Sequence, residues 1–134
     1  MSSVFTKIIE GGLPAYKIFE DDRVISFLAL DQINMGHCLV VPKKEVDHFF
    51  DIDDDLYAQT FLIAKKIAKA IKSATGCVRV GVAVQGFEVA HTHIHLIPVW
   101  NPDEFDFKKQ KTRPAEQMKE FQEKIISSLS LIHI

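Results

Sequence analysis

Apolar positions change their period several times along the chain, and each change marks an element. Val4, Phe5, Ile8 and Ile9 fall at helical spacing behind a serine able to cap, with Gly11 and Gly12 placed to end the turn, so a short helix is predicted. The runs at about residues 16–19 and 23–30 are β-rich and separated by the acidic Glu20-Asp21-Asp22, the pattern of a hairpin. The apolar run in "HCLVVPK" is too short for a buried helix and carries Pro42 near its end, which predicts a third strand. Residues 51–76 are different. There Leu56, Thr60, Ile63, Ile67, Ile71 and Ala74 form one stripe at spacings of three or four, aspartates open the segment, lysines load its second half and Gly76 closes it. This is a long amphipathic helix. "CVRVGVAVQG" and "FEVAHTHIHLIPVW" return to strand character, Pro102 and a charged stretch open a loop, and a last helix is expected from about Pro114, with Met118, Phe121, Ile125 and Leu129 as its apolar stripe. The elements add up to an α+β fold: a five-stranded antiparallel sheet, a long amphipathic helix and short N- and C-terminal helices.

Composition narrows the class. At 134 residues with 47% hydrophobic and 25% charged positions, the chain is expected to be a single domain over 1–134, its C-terminal helix and tail lying at about 114–134. A net charge of -2 gives no basic surface for a nucleic-acid polymer or an anionic membrane, while small anionic ligands stay open. Cys38 and Cys77 fit neither a metal knuckle nor a redox pair and read as buried free thiols, which suits a cytoplasmic location. The start of the sequence carries no long apolar run, so neither a signal peptide nor a spanning helix is expected.

Chemistry concentrates in "HTHIH". His91, His93 and His95, half of the six histidines, alternate, so on an extended strand they share one face. His48 and His133 stand alone and read as residues without chemistry. A row of three imidazoles has no packing motive, because charged rings repel and unpaired burial is costly. Zinc binding is one alternative, although no cysteine pair or acidic cluster stands nearby in sequence to complete a site. Nucleophilic or acid–base work suits the row better: one ring nitrogen attacks a phosphorus centre while neighbours orient it and donate to the phosphate oxygens.

"HTHIHLI" resembles the histidine triad, H-φ-H-φ-H-φ-φ with φ apolar, and "VFTKII", "IFEDDRVISFL", "GHCLVVPKK" and "GFEVAHTHIHLIP" follow in that family's order. The resemblance implies the histidine triad (HIT) fold of the Hint-like branch and a homodimer. It also implies a nucleotide-binding phosphoramidase or phosphohydrolase that needs no cofactor and works through a nucleotidyl-histidine. Carried over by position, His93 is the nucleophile, His95 contacts phosphate oxygens, His91 serves the leaving group and His37 orients the nucleophile. Val4, Phe5, Ile8, Phe27 and Leu30 match a pocket for a purine base; simple core packing is the competing account of the same residues.

Departures from the pattern shape the expectations further. Ala29 stands where the family places a ribose-binding aspartate, with Asp31 two residues on; Gln85 stands in for an asparagine, and Glu88 is placed to assist the leaving group. Bacterial relatives hold a structural zinc with two cysteines, a histidine and the first triad histidine, but here Ser3, Thr6 and Glu45 take the first three places, so no metal is expected. Thr92 replaces an apolar φ residue. Ala29 also keeps an alternative in play: a nucleotide-binding regulatory or interaction module with weak or no turnover.

Overall fold

The alternating runs pair into one sheet. The computed structural model describes residues 2–132. In it β1 (Lys17–Glu20), β2 (Val24–Leu28), β3 (Cys38–Pro42), β4 (Arg79–Ala83) and β5 (Ile94–Val99) lie in the order β1-β2-β3-β5-β4, with every neighbouring pair antiparallel. Helices α1 (Val4–Ile9), α2 (Asp54–Thr75) and α3 (Ala115–Ser130) complete the expected α+β architecture. His133 and the last residue of the tail lie outside the described residues. Among the described residues no helix is long and apolar enough to cross a membrane.

Local chemistry explains the helix limits. Ser3 caps α1, its Oγ accepting from the Thr6 N–H at 3.0 Å. Asp54 and Asp55 occupy the first turn of α2, and Gly76 ends it at φ +70°, a left-handed conformation that costs a glycine little. Leu56, Thr60, Ile63, Ile67 and Ile71 are all buried, so the sequence stripe is the packed face. On α3, Met118 and Ile125 are buried.

Strand periodicity sorts the sheet into two faces. Val24, Leu28, Cys38, Val40, Ile94 and Leu96 join the buried face of α2 in the larger core. Residues of opposite parity, Ile25, Phe27, Leu39 and Val41, meet Phe5 of α1 in a smaller cluster on the other side. Leu39 pairs with His95, so His95 faces the α1 side. One face is sealed by long helices; the other is covered by six residues of helix, which leaves room for a cleft.

The last strand is shorter than the sequence suggests. It begins at Ile94, after His91 and His93, where its ladder with β3 stops at the Val40–Ile94 pair, and two residues further along β3 Pro42 has no N–H to resume the pairing. The Pro42 carbonyl bonds the His91 side chain instead, and the Thr92 N–H and hydroxyl both turn to the Val46 carbonyl, at 2.7 and 2.8 Å. Thr92, which breaks the apolar pattern, thereby ties the histidine segment to the loop after β3.

Candidate active site

Backbone groups fix the proton positions on the histidines. His93 Nδ1 lies 2.8 Å from the His91 carbonyl. A carbonyl only accepts, so Nδ1 carries the hydrogen and Nε2 keeps a free lone pair. At His37 the order is reversed: Nδ1 accepts from the Ile33 N–H at 3.1 Å, so Nε2–H donates to His95 Nδ1 at 2.9 Å. His95 must then carry its own hydrogen on Nε2. Adjacent imidazoles, with ring centroids 4.9 Å apart, thus present opposite functions: a lone pair on His93 and a donor on His95.

Burial keeps the rings neutral. Desolvation, with the nearby His95 ring, pushes His37 down to about 3, and desolvation, with His93, takes His95 down to about 4. His93 is also lowered, chiefly by burial, against the pull of the His91 carbonyl bond. Phe5 meets the His93 ring edge-on at 4.9 Å, and Phe107 meets His95 at 4.8 Å.

Open spaces lie around this pair, one of about 490 Å³ running from His93 past Thr92 and Gln85 to Phe49 and Phe50. Val4, Phe5, Ile8, Phe27 and Leu30, all selected from sequence, line an apolar cleft of about 610 Å³ together with Leu13, Tyr16 and Leu39. Volume and lining suit a flat, largely apolar group. Gln85 and Glu88 flank a narrow slot with His93, His95 and Phe107. The cleft and the slot meet at the Phe5–His93 contact.

The HIT domain matches residues 10–101 of this sequence, most of the chain and every strand just described. This chain belongs to the HIT family. An uncharacterized HIT-like protein of Borreliella burgdorferi is 36% identical over 113 residues, covering 79% of this chain and 81% of that protein. The adenosine 5'-monophosphoramidase of Saccharomyces cerevisiae is 32% identical over 117 residues, 79% of this chain and 74% of the enzyme. A crystal structure of a Hit-like protein involved in cell-cycle regulation from Bartonella henselae superimposes with a TM-score of 0.85 at 30% identity, covering 95% of this chain and 96% of that one.

Within this HIT chain, the triad is arranged differently from the simple row. His91 does not line the slot: it is fully buried, Nε2–H donating to the Pro42 carbonyl at 2.8 Å and Nδ1 accepting from Ser3 Oγ at 2.7 Å. His37 stands behind His95 rather than behind the nucleophile, because β3 and β5 pair Leu39 with His95 and carry the neighbouring rings together. Ala29 is buried in the α1-side cluster, while Asp31 is exposed and its backbone carbonyl accepts from Gln110 Nε2.

The zinc positions of bacterial relatives do converge here, as a hydrogen-bonded cluster. Glu45 Oε1 accepts from the Ser3 N–H and the Thr6 hydroxyl, and lies 4.0 Å from His91 Nδ1. Those bonds hold the Glu45 carboxyl below the usual carboxylate range. Two neutral hydroxyls, one carboxylate and an imidazole with both nitrogens engaged do not suit zinc, which takes thiolates and free imidazoles.

Sequence reasoning missed three supports. Gln32 is fully buried and donates to the Ala29 and His37 carbonyls while accepting from the Gly36 and His37 N–H groups, fastening the turn that delivers His37. Phe107 roofs His95 from a loop that showed only charge alternation. Ser3 was placed near His91 by the family's zinc positions, but not as the hydrogen-bond donor to its ring nitrogen.

Proposed function

We propose that this protein hydrolyses nucleoside 5'-phosphoramidates or related nucleotides with a small leaving group, purine nucleosides being the best fit to the cleft. The observation that carries the reading is the pair of opposite tautomers: a lone pair on His93 Nε2 beside a hydrogen on His95 Nε2. His93 Nε2 attacks phosphorus as the bond to the leaving nitrogen breaks. His95 Nε2–H donates to a phosphoryl oxygen, and positive charge growing on the His93 ring is met by the His91 carbonyl. The amine departs with a proton drawn from solvent past Glu88, which stands at the exposed side of the slot. Water then attacks the nucleotidyl-histidine, releasing the nucleoside monophosphate, restoring His93 and returning a proton to solvent.

The S. cerevisiae relative, an adenosine 5'-monophosphoramidase, supports the substrate class. The assay is turnover of adenosine 5'-phosphoramidate: His93→Ala is expected to lower kcat by about 10³-fold or more, the order lost when a nucleophile is removed. Mass spectrometry of the quenched wild-type reaction should find a nucleotidyl adduct on His93. Unchanged turnover in His93→Ala overturns the mechanism.

A second reading, a nucleotide-binding module with little turnover, is favoured by Ala29, a buried apolar residue at the ribose-binding place of the family pattern. Tight AMP or GMP binding by calorimetry without measurable turnover would select it. We further place the chain as one HIT-like domain that acts in the cytoplasm as a homodimer. Exposed Val82 on the edge strand β4 and exposed Leu62 on α2 support a contact with a second copy, which sedimentation velocity tests.

A further inference from the structure

The cluster beneath His91 uses both ring nitrogens of a buried histidine, yet that ring reaches no open space. Its backbone does. The His91 carbonyl is the acceptor that keeps the hydrogen on His93 Nδ1, so whatever fixes residue 91 also fixes the lone pair on His93 Nε2. The His91 ring is held by the Pro42 carbonyl on β3 and by Ser3 Oγ at the start of α1, with the Thr6 hydroxyl more distant, 3.5 Å from Nδ1. Because Nε2–H is committed to a carbonyl, Nδ1 is an acceptor and the Ser3 hydroxyl is its donor.

Ser3 has a second attachment. Its Oγ accepts from the Thr6 N–H and caps the helix whose Val4, Phe5 and Ile8 wall the apolar cleft. Its own N–H is held by Glu45 Oε1, which also receives the Thr6 hydroxyl. A single side chain therefore connects the wall of the base cleft to the peptide that orients the attacking ring, and Phe5 closes the circuit by packing on the edge of His93.

We propose that Ser3 is a positioning residue for the reaction: its hydroxyl locks the His91 ring, and through the His91 carbonyl sets the tautomer and aim of His93. The inference rests on the hydrolytic reading above for its kinetic consequences, but its structural claim about tautomers stands apart from any substrate.

That separation decides the experiment. Ser3→Gly removes the donor, and glycine is itself an acceptable residue at a helix N-cap. Ser3→Thr keeps both the donor and the cap. With adenosine 5'-phosphoramidate, Ser3→Gly is expected to lower kcat by about tenfold or more with KM changed less than about threefold, and Ser3→Thr to stay within about threefold of wild type in both. In the full-length protein, ¹⁵N shifts of the ring nitrogens should show His93 as the Nδ1–H form in wild type and Ser3→Thr, and a mixture of forms in Ser3→Gly. A Ser3→Gly variant that raises KM alone, with the His93 nitrogens unchanged, would make Ser3 a helix cap and nothing more. If wild type fails to turn over the phosphoramidate but the nitrogen shifts change as described, the hydrolytic reading fails and the positioning role survives.

Discussion

Replacing His37 by phenylalanine isolates what its two hydrogen bonds contribute. The ring is fully buried and phenylalanine is somewhat larger, so no cavity opens and any overpacking adds to the loss of hydrogen bonds. What disappears are the acceptor for the Ile33 N–H and the donor for His95 Nδ1, both inside the protein. Leaving a buried polar group without a partner costs about 1–3 kcal/mol each, so His37→Phe should lose about 2–6 kcal/mol of stability, or roughly 6–20 °C in Tm for a domain of this size. The kinetic cost has a ceiling. Deleting a hydrogen-bond donor to a developing oxyanion outright lowers kcat by about 10²–10³-fold, and His37→Phe leaves that donor's ring in place but lets its hydrogen move to Nδ1, so a loss of about 10–10²-fold is expected. Urea unfolding measures the first quantity and steady-state turnover of adenosine 5'-phosphoramidate the second, at a temperature where the variant is folded. A variant that unfolds at the wild-type midpoint, or that keeps kcat within about threefold, would refute the assignment of His37 as the orienter of His95.

Three further outcomes follow from other parts of the structure. Leu30 is 75% exposed at the mouth of the cleft, so Leu30→Ala should leave stability within about 0.5 kcal/mol but raise KM for a purine substrate roughly tenfold, as apolar area is lost to the base; an unchanged KM would place the base elsewhere. His37 and His95 titrate far below their unfolded value, at about 3 and about 4, so the unfolded chain binds protons that the folded chain refuses. Their contribution is complete above about pH 6.5 and is lost as pH falls from there toward 4 and 3, with a slope of at most about 1.4 kcal/mol per pH unit for each, which denaturant melts at stepped pH will read. Gly81 on β4 has the Phe105 ring where a Cβ would sit, and Phe105 packs on Phe107 above His95; Gly81→Ala should cost about 1–3 kcal/mol by overpacking and also lower kcat, whereas Gly12→Ala, whose Cβ meets a single backbone atom at 3.4 Å, should leave kcat unchanged.

The sequence by itself determined the elements, their order and the face to which strand side chains point. Helix and strand periods differ, caps and breakers sit at their ends, and a two-residue repeat fixes which side chains share a face; these are local properties, readable without a fold. His95 and the apolar residues of α1 and β2 lie on the face that this repeat assigned them, whereas His93 precedes the strand. Tertiary structure decided which groups touch. The β3–β5 ladder stopped at Ile94, and the Pro42 carbonyl took the His91 ring, which stays out of the slot. Strand register carried His37 to His95 instead of His93, and the turn held by Gln32 delivered it there. Ser3 and Phe107 joined the site from opposite ends of the sequence. A hydrogen bond depends on a few tenths of an ångström between atoms far apart in the chain, and no periodicity encodes that distance; the direction of a side chain is a local matter, while the partner it meets belongs to the whole fold.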